Sequence, residues 1–400
     1  MVEWKEHRLE DIATIVDCEH KTAPLVADSE YISVRTSNIS GGKIDFDNAN
    51  RVSLETYEDW TRRLKPEEGD IVLAREAPVG EVGWISKGKQ VCLGQRTVLI
   101  RANKKVINPR YLLYYFANPD TKYDLISRST GSVVEHLNVK DIRHFEIKVH
   151  PSLDLQNSIA EILSSLDDKI NLLQRQNKTL EQLAETLFRQ WFIAGEKIDT
   201  ISLGEYVDCI NGVSYKSSEL NPSKVGMISL KSFDRKGGFS IDGFKEFTGK
   251  FKEKQIVVEG DLIVAHTDIT QEAEVIGNPA LVINNPNFET MIISMDIVKV
   301  VSKLEWISNE FLYYLMKTRE FKSHCEGCAN GSTVLHLSKQ AIPTFELPVP
   351  EKEKVIEFTR YTKDLLRKSF SNHAEIRTLT KLKETVLPKL VSGEVTVNLN

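Results

Sequence analysis

The chain lacks the features that typify membrane proteins, secreted proteins and strongly basic nucleic-acid-binding proteins. It contains no apolar run of roughly 18 residues, so no membrane-spanning segment is expected. The first residues have no hydrophobic core, which argues against a signal peptide, and the 5 cysteines are odd in number and mostly scattered. These absences predict a cytoplasmic protein. Because the net charge is −5, any basic surface has to be local.

Catalytic motifs are missing as well. There is no Gly-x4-Gly-Lys-Ser/Thr P-loop, and Asn-Pro is never followed by the second Pro of the adenine methyltransferase motif. Asp167 and Lys169 have the spacing that ends some nuclease motifs, but they lie on a predicted helix, where an ion pair explains them better. Cys325 and Cys328 beside His324 resemble half a zinc site without a second half. We therefore predict no catalytic residue, no metal site and no cofactor in this chain.

A heptad repeat runs from about residue 155 to residue 193. Its seam consists of Leu163, Leu166, Ile170, Leu173, Asn177, Leu180, Ala184, Leu187 and Trp191. A narrow apolar seam with this period requires a partner helix. At 1.5 Å per residue, a helix of about 39 residues is roughly 58 Å long, which exceeds the width of a small domain. The segment is therefore expected to act as a spacer.

A partner for this helix lies in the same chain, 199 residues downstream. The second seam is more polar and consists of Thr362, Leu365, Ser369, Asn372, Ile376, Leu379, Lys383, Val386 and Leu390. If the two helices run antiparallel, Asn177 faces Asn372, and a buried amide pair fixes register at a cost in stability. We therefore predict a hydrogen bond between these side chains. On the sequence alone, Asn177→Leu should stabilise the pair and permit slippage.

The repeat extends to the segments before each helix. Three pairs of segments correspond, at offsets of 191, 200 and 200: residues 69–75 with 260–266, 111–115 with 311–315, and 131–137 with 331–337. A period near 200 residues is too long for a solenoid and indicates a duplicated domain. Two similar halves imply an approximate twofold axis.

The repeated segments read as mixed α and β structure. Short β-rich runs bounded by turn residues include 31–35, 70–74, 98–100 and 145–149, and helical runs include 110–117 and 306–318. We therefore predict an α+β protein in which two similar mixed α/β domains are separated by two long antiparallel helices. These helices form an intramolecular coiled coil with pseudo-twofold symmetry. The expected boundaries are domain 1 at 1–150, a central helical spacer at 151–195, domain 2 at 196–347 and a C-terminal helical spacer at 348–400.

Polar loops carry the candidate binding residues of each domain. Arginine pairs well with guanine and glutamine with adenine, and serine beside glycine can offer a hydroxyl and a backbone N–H to phosphate. In domain 1 the candidates are Thr36, Asn38, Lys43, Arg75, Gln95, Arg96 and Ser132. In domain 2 they are Lys231, Arg235, Lys236, His266 and Ser332. Taken singly, each is also explained as part of a solvated loop or a surface ion pair, and His136 and His336 as packed histidines.

A resemblance to a known family rests on motifs spread along the chain. These are residues 93–99 (LGQRTVL), Thr130-Gly131-Ser132 with His136-Leu137-Asn138, Pro151-x4-Gln156, 159–170, 179–192 and 387–395. Together they resemble the specificity subunit of type I restriction-modification systems over essentially the whole chain. One departure is visible, because the second helix entry at 350–355 lacks a glutamine equivalent to Gln156.

The resemblance implies two target recognition domains, each reading one half of a split, asymmetric site in double-stranded DNA. It further implies that the helices set the distance between the half-sites and dock two methyltransferase subunits, which use S-adenosylmethionine. Restriction subunits driven by ATP, with Mg²⁺, would join through them. Because residues 35–43 and 231–238 differ in length and composition, the half-sites should differ. Two alternatives stay open: a protein-only coiled-coil scaffold, and a catalytic methyltransferase or nuclease chain.

Overall fold

The protein consists of two compact units, each containing one globular domain and part of both long helices. The computed structural model describes residues 4–129, 135–193, 199–233, 235, 238–270, 272–331 and 334–397. Unit 1 comprises Met1–Leu172 and Glu375–Asn400, and unit 2 comprises Leu173–Ala374. Unit 1 therefore consists of two stretches of the chain, and the second is the C-terminal segment.

Unit 1 is built on a four-stranded sheet. Its strands are β1 (Lys5–Arg8), β2 (Ala13–Asp17), β3 (Tyr31–Val34), β4 (Ile39–Ser40), β5 (Lys43–Ile44), β6 (Asn50–Arg51), β7 (Ile71–Ala74), β8 (Val82–Trp84), β9 (Gln90–Leu93), β10 (Thr97–Ala102) and β11 (Glu146–Val149). Its short helices are α1 (Leu9–Ile12), α2 (Leu54–Thr61), α3 (Pro109–Ala117), α4 (Pro119–Ser127) and α5 (Val139–Arg143). The main sheet has the order β2-β10-β7-β8, a second sheet has the order β6-β3-β9, and β1 pairs with β11.

Unit 2 repeats this topology after the long helix α6 (Leu153–Phe188), which continues as a π-helical turn over Arg189–Ile193. Its strands are β12 (Thr200–Ser202), β13 (Val207–Asn211), β14 (Val225–Ile228), β15 (Phe244–Glu246), β16 (Ile256–Val257), β17 (Leu262–Ala265), β18 (Thr267–Asp268), β19 (Pro279–Leu281), β20 (Thr290–Ile293), β21 (Ile297–Ser302), β22 (Ala329–Asn330), β23 (Leu335–Leu337) and β24 (Glu346–Pro348). Its short helices are α7 (Asn309–Met316), α8 (Arg319–Gly327) and α9 (Ala341–Thr344), and the long α10 (Lys352–Ser392) belongs to unit 2 up to Ala374 and to unit 1 from Glu375. The main sheet, β13-β21-β17-β19, matches that of unit 1.

The repeated Gly-Asp pair explains how the central strand of each sheet begins. Gly69 and Gly260 adopt φ values of +98° and +87°, which L side chains rarely adopt. The following aspartate is then placed beside a cation of the neighbouring strand. Asp70 accepts from Arg101 at 2.7 and 2.8 Å, and Asp261 accepts from Lys299 at 2.7 Å. This motif therefore serves the fold in both units.

Helix starts follow the local chemistry of the sequence. The Asn108 side chain accepts from the N–H of Tyr111, and Pro109 occupies the first turn of α3, where a missing N–H costs nothing. Ser308 caps α7 in the same way through Phe311. The helix expected over 306–318 is thus shorter, because the serine cap fixes its start and Lys317 ends it. Both helices bury aromatic and leucine side chains in the core of their unit.

The two long helices pair antiparallel within each unit. In unit 1, Lys383 Nζ donates to Asp167 Oδ1 at 2.6 Å, whereas Lys169 Nζ lies 3.1 Å from Glu375 Oε1. A higher residue number on α6 is paired with a lower residue number on α10, so the two helices run antiparallel. In unit 2, Asn372 Nδ2 donates to Asn177 Oδ1 at 2.8 Å. The hydrogen bond between the two amides is therefore present, while their role in setting register stays a prediction.

The seam of α6 is buried at Leu163, Ile170, Leu173 and Ala184 and half-buried at Leu166, Asn177, Leu180, Leu187 and Trp191. Leu163, Leu173 and Ala184 are at most 1% exposed, whereas Leu172 and Leu183 beside the seam are 42% and 48% exposed. Burial of a leucine stabilises by roughly 1.5–3 kcal/mol, so the seam residues contribute most to pairing. None of the helices formed by the described residues combines the length and the apolar character needed to cross a bilayer.

Candidate nucleic-acid interface

Strand β7 of unit 1 ends at a junction where three chain segments meet. The N–H of Arg75 donates to the carbonyl of Arg96 at 2.8 Å, and the N–H of Leu137 donates to the carbonyl of Arg75 at 3.1 Å. The side chains at residues 75, 76, 96 and 136 therefore meet at one place, which we call the first frame. Two of the sequence candidates, Arg75 and Arg96, belong to it.

The guanidinium of Arg75 is held within the first frame by contacts of all three of its nitrogens. Its Nε donates to the carbonyl of Leu137 at 2.8 Å, its Nη1 to Asp17 Oδ1 at 2.9 Å, and its Nη2 lies 2.8 Å from His136 Nε2. The residue is 5% exposed. A guanidinium engaged on all three nitrogens cannot reach a base edge without breaking these bonds. The structure shows Arg75 in a positioning role, and its contact with a base stays a prediction.

Glu76 is the member of the first frame that sequence reasoning missed. One carboxylate oxygen lies 2.5 Å from His136 Nδ1, and the other lies 2.8 Å from Arg96 Nε. Glu76 is nearly buried at 15% side-chain exposure, whereas the Arg96 side chain is 58% exposed. The sequence feature that could have indicated Glu76 is an acidic residue directly after an arginine at the end of a buried strand. Glu76 therefore orients an exposed guanidinium.

The turn that carries Arg96 holds it in an unusual backbone conformation. Its φ is +66°, in the left-handed region that non-glycine residues rarely occupy. Strain of this kind persists only where the surroundings enforce it and is concentrated at functional sites. The preceding Gln95 is exposed as well. The turn presents to solvent the two side-chain types that pair with guanine and adenine.

The other candidates of domain 1 have different surroundings. Thr36 Oγ1 donates to the carbonyl of Ala77 at 3.4 Å, which places it beside the segment that follows Arg75. Asn38 is 4% exposed, and its Oδ1 accepts from the N–H of Arg35 at 3.0 Å. This side chain closes a local turn, and its contact with DNA stays a prediction. Lys43 is exposed and donates to Asn171 Oδ1 of α6 at 2.6 Å.

Unit 2 repeats the backbone of this junction with other side chains. The N–H of His266 donates to the carbonyl of Asp296 at 2.7 Å, and the N–H of Leu337 donates to the carbonyl of His266 at 2.8 Å. Residues 266, 267, 296 and 336 therefore form a second frame, equivalent to the first. Burial lowers the pKa of His266, and the neighbouring His336 and Lys339 lower it further. These surroundings favour the neutral form of His266.

The segment after the second frame is longer than its counterpart. Between β7 and β8 there are seven residues (75–81), and between β17 and β19 there are thirteen (266–278). Lys322 Nζ holds the longer segment through the carbonyls of Ala273 and Ile276, at 2.8 and 2.7 Å. Asp268 Oδ2 accepts from the N–H of Val275 at 2.6 Å. The two units therefore share a frame but differ in the loop beside it.

The remaining candidates of domain 2 lie on the surface or outside the described residues. Lys231 is exposed on a 3-10 turn over Leu230–Ser232. Arg235 is 69% exposed at its side chain and lies 3.1 Å from Glu274, within the longer segment. Three candidates fall outside the described residues: Ser132, Lys236 and Ser332.

The cysteine-histidine cluster of α8 serves packing. Cys325 is fully buried, and burial raises the pKa of its thiol to about 12. His324 Nε2 lies 2.9 Å from the carbonyl of Ala341 and 3.8 Å from Cys328 Sγ. Among the described residues, no group of three or more histidine, cysteine, aspartate or glutamate side chains is arranged to hold a metal ion.

The two units thus share one topology and one frame, while the polar side chains on the frame differ. Residues 1–182 match the family described as type I restriction modification DNA specificity domain. This first part of the chain is therefore similar to the DNA specificity domain of type I restriction-modification systems.

Relatives and a solved structure agree along the chain. The HindI specificity subunit of Haemophilus influenzae is 21% identical, over 99% of this chain and all of that one. The MjaIX specificity subunit of Methanocaldococcus jannaschii is 24% identical, over 86% of this chain and 82% of that one. The crystal structure of a type I S subunit from M. genitalium has a TM-score of 0.61 at 15% identity and covers all of this chain and 97% of that one. This likeness establishes the fold.

Proposed function

We propose that each unit reads one half of a bipartite, asymmetric DNA site and that the paired helices fix the number of base pairs between the halves. One observation carries the proposal: the two units share a topology and a frame, but the polar side chains of the frame differ. Equal backbones position equivalent side chains, and unequal side chains select different base edges. We retain the domain limits 1–150, 151–195, 196–347 and 348–400 as part of this proposal.

We propose that exposed side chains contact DNA: Lys43, Gln95, Arg96, Lys231 and Arg235. The half-buried Thr36 is proposed as a further contact. His266 is half-buried, and we propose that it contacts a base rather than a phosphate, because its lowered pKa disfavours the charged form. Ser132, Lys236 and Ser332 remain proposed contacts on the sequence argument alone.

We further propose that two methyltransferase subunits dock on the long helices. Exposed apolar residues recur there at the repeat distance: Ile162 corresponds to Tyr361, and Leu183 corresponds to Leu382. Their exposed fractions are 39%, 47%, 48% and 46%, respectively. Apolar residues left exposed at equivalent positions of both units favour two equivalent partners over one. The partners would bring S-adenosylmethionine and, through restriction subunits, ATP and Mg²⁺, in the cytoplasm.

Docking is tested with Leu183→Glu and Leu382→Glu, each combined with purified methyltransferase subunits. Each single variant should bind one methyltransferase instead of two, and the double variant none, because a buried carboxylate opposes an apolar contact. Leu54→Glu, on α2 and 50% exposed, serves as the matched control and should bind two. Mass photometry gives the stoichiometry. Two bound subunits in the double variant would refute the proposed surface.

Site recognition is tested by mapping methylated bases in genomic DNA treated with the assembled complex and S-adenosylmethionine. A bipartite motif with two unlike halves and one fixed spacer is the expected result. Methylation by this chain without partners would favour a catalytic chain. Failure to bind any duplex in the presence of methyltransferase subunits would favour a protein-only scaffold.

A further inference from the structure

The first and second frames differ in charge at the turn that precedes β10 in unit 1 and β21 in unit 2. Strands β10 and β21 pair with β7 and β17 in the same register, since Thr97 faces Ala74 and Ile297 faces Ala265. The residue before each strand is therefore equivalent. It is arginine in unit 1, at position 96, and aspartate in unit 2, at position 296. The charge at one place in a repeated frame is reversed.

An aspartate at this position is unfavourable near DNA unless it has a specific partner. Phosphates repel a carboxylate, and most protein–DNA affinity comes from cations. A carboxylate has no N–H or O–H to donate when ionised, so its only favourable contact with a base is as an acceptor. The bases offer donors in the major groove as amino groups, N4 of cytosine and N6 of adenine, and aspartate pairs with the cytosine amine.

The protein already orients Asp296 for such a contact. Its Oδ1 accepts a hydrogen bond from Thr267 Oγ1 at 3.1 Å. Thr267 occupies the position in the second frame that Glu76 occupies in the first. The backbone carbonyl of Asp296 is fixed by the N–H of His266. Asp296 is half-buried, and the neighbouring Met295 is 50% exposed, so the turn is accessible from solvent. A side chain held in advance loses little freedom when it binds.

We propose that Asp296 is a specificity-determining residue that accepts a hydrogen bond from the amino group of a base in one half-site. Arg96 occupies the equivalent place for the other half-site as a donor. This assignment rests on the proposed function, because it requires that each unit read its own half-site. It also explains how one duplicated frame selects opposite hydrogen-bonding groups on two bases.

The test maps methylated motifs for assembled complexes that carry the wild-type chain or a variant at the second frame. Asp296→Ala removes the acceptor and should reduce the preference at one base pair of one half-site by roughly 5- to 150-fold, the range typical of a lost base contact. The other half-site should not change. Asp296→Asn distinguishes the two base sources, because asparagine pairs with adenine: a cytosine position should shift toward adenine, and an adenine position should keep its preference.

Two controls separate reading from folding. Thr267→Val breaks the orienting hydrogen bond but keeps the carboxylate, so the same base should still be preferred, with a smaller loss of preference than Asp296→Ala causes. Asp208→Ala removes a carboxylate that is 71% exposed elsewhere in unit 2 and should leave the motif unchanged. If Thr267→Val alters the motif as much as Asp296→Ala does, Asp296 acts through the fold and the proposal is overturned.

Failure of the assignment and failure of the proposed function give different results. A wild-type motif without two parts would remove the proposed function. A two-part wild-type motif that Asp296→Ala leaves intact, or changes in both halves, would remove only the role of Asp296. Thermal unfolding of each variant complex confirms that the compared proteins are folded.

Discussion

The amide pair in unit 2 gives a prediction whose sign changes once the structure is known. Asn372 is fully buried, and its Nδ2 donates to Asn177 Oδ1 at 2.8 Å. Asn177 Nδ2 and Asn372 Oδ1 are buried without a partner among the described residues. The sequence alone suggested that Asn177→Leu would stabilise the helices. The structure predicts the opposite for the single change, because the Asn372 amide would lose its close partner.

The magnitude follows from two opposing contributions. A buried amide left without its hydrogen bond costs about 1–3 kcal/mol. A leucine at the half-buried position 177 returns roughly 1 kcal/mol of hydrophobic stabilisation, about half the value for full burial. Asn177→Leu should therefore destabilise unit 2 by up to about 2 kcal/mol. The double variant with Asn372→Leu removes both amides and should be more stable than either single variant by at least about 2 kcal/mol.

The assay is native-state hydrogen exchange of the α6 amides in unit 2, which reports the opening free energy of that segment. Gln174→Leu, on an exposed position of the same helix, is the control and should change it by less than about 0.5 kcal/mol. In assembled complexes, the double variant should also methylate sites with more than one spacer length, because nothing polar fixes the register. Additive single changes, or a stabilising Asn177→Leu, would refute the reasoning.

Three further predictions concern single positions. Leu173→Ala should cost about 2–5 kcal/mol of unfolding free energy, whereas Leu172→Ala, one residue away and 42% exposed, should cost less than about 1 kcal/mol in the same guanidinium titration. The pKa of His266 is lower in the folded protein than in the unfolded chain. Its contribution to stability is therefore complete above pH 6.5 and is lost as the pH falls through the folded-state pKa. His266→Gln should flatten that part of the pH dependence of stability, measured by thermal unfolding. Glu76→Gln should weaken the ion pair that orients Arg96 and relax one half-site by roughly five-fold or more, with the other half-site as internal control.

Sequence reasoning predicted the features that depend on periodicity. The heptad of α6 and its copy in α10 are local patterns, so the pairing of Asn177 with Asn372 could be inferred by laying one seam against the other. The duplication was visible for the same reason, and the repeated sheet order confirms it. The helix over 306–318 was too long because its serine cap was not recognised.

The frames could not be predicted, because their contacts are distant in sequence. Arg75 meets Asp17 and His136, which lie 58 and 61 residues away, and no local pattern reports that its guanidinium is enclosed. Its position after a buried strand suggested an exposed end. Glu76 and Asp296 were missed because acidic residues were not considered as parts of a DNA-binding surface. Only the fold places Glu76 beside Arg96 and Asp296 beside His266.

The spacing claim is tested most directly by lengthening both helices. Inserting one heptad into α6 and a matching heptad into α10 adds about 10.5 Å of helix, at 1.5 Å per residue. One base pair of DNA rises about 3.4 Å, so the spacer of the methylated motif should grow by about three base pairs while both half-sites stay the same. An unchanged spacer, with both half-sites still recognised, would contradict the claim that the helices measure the distance.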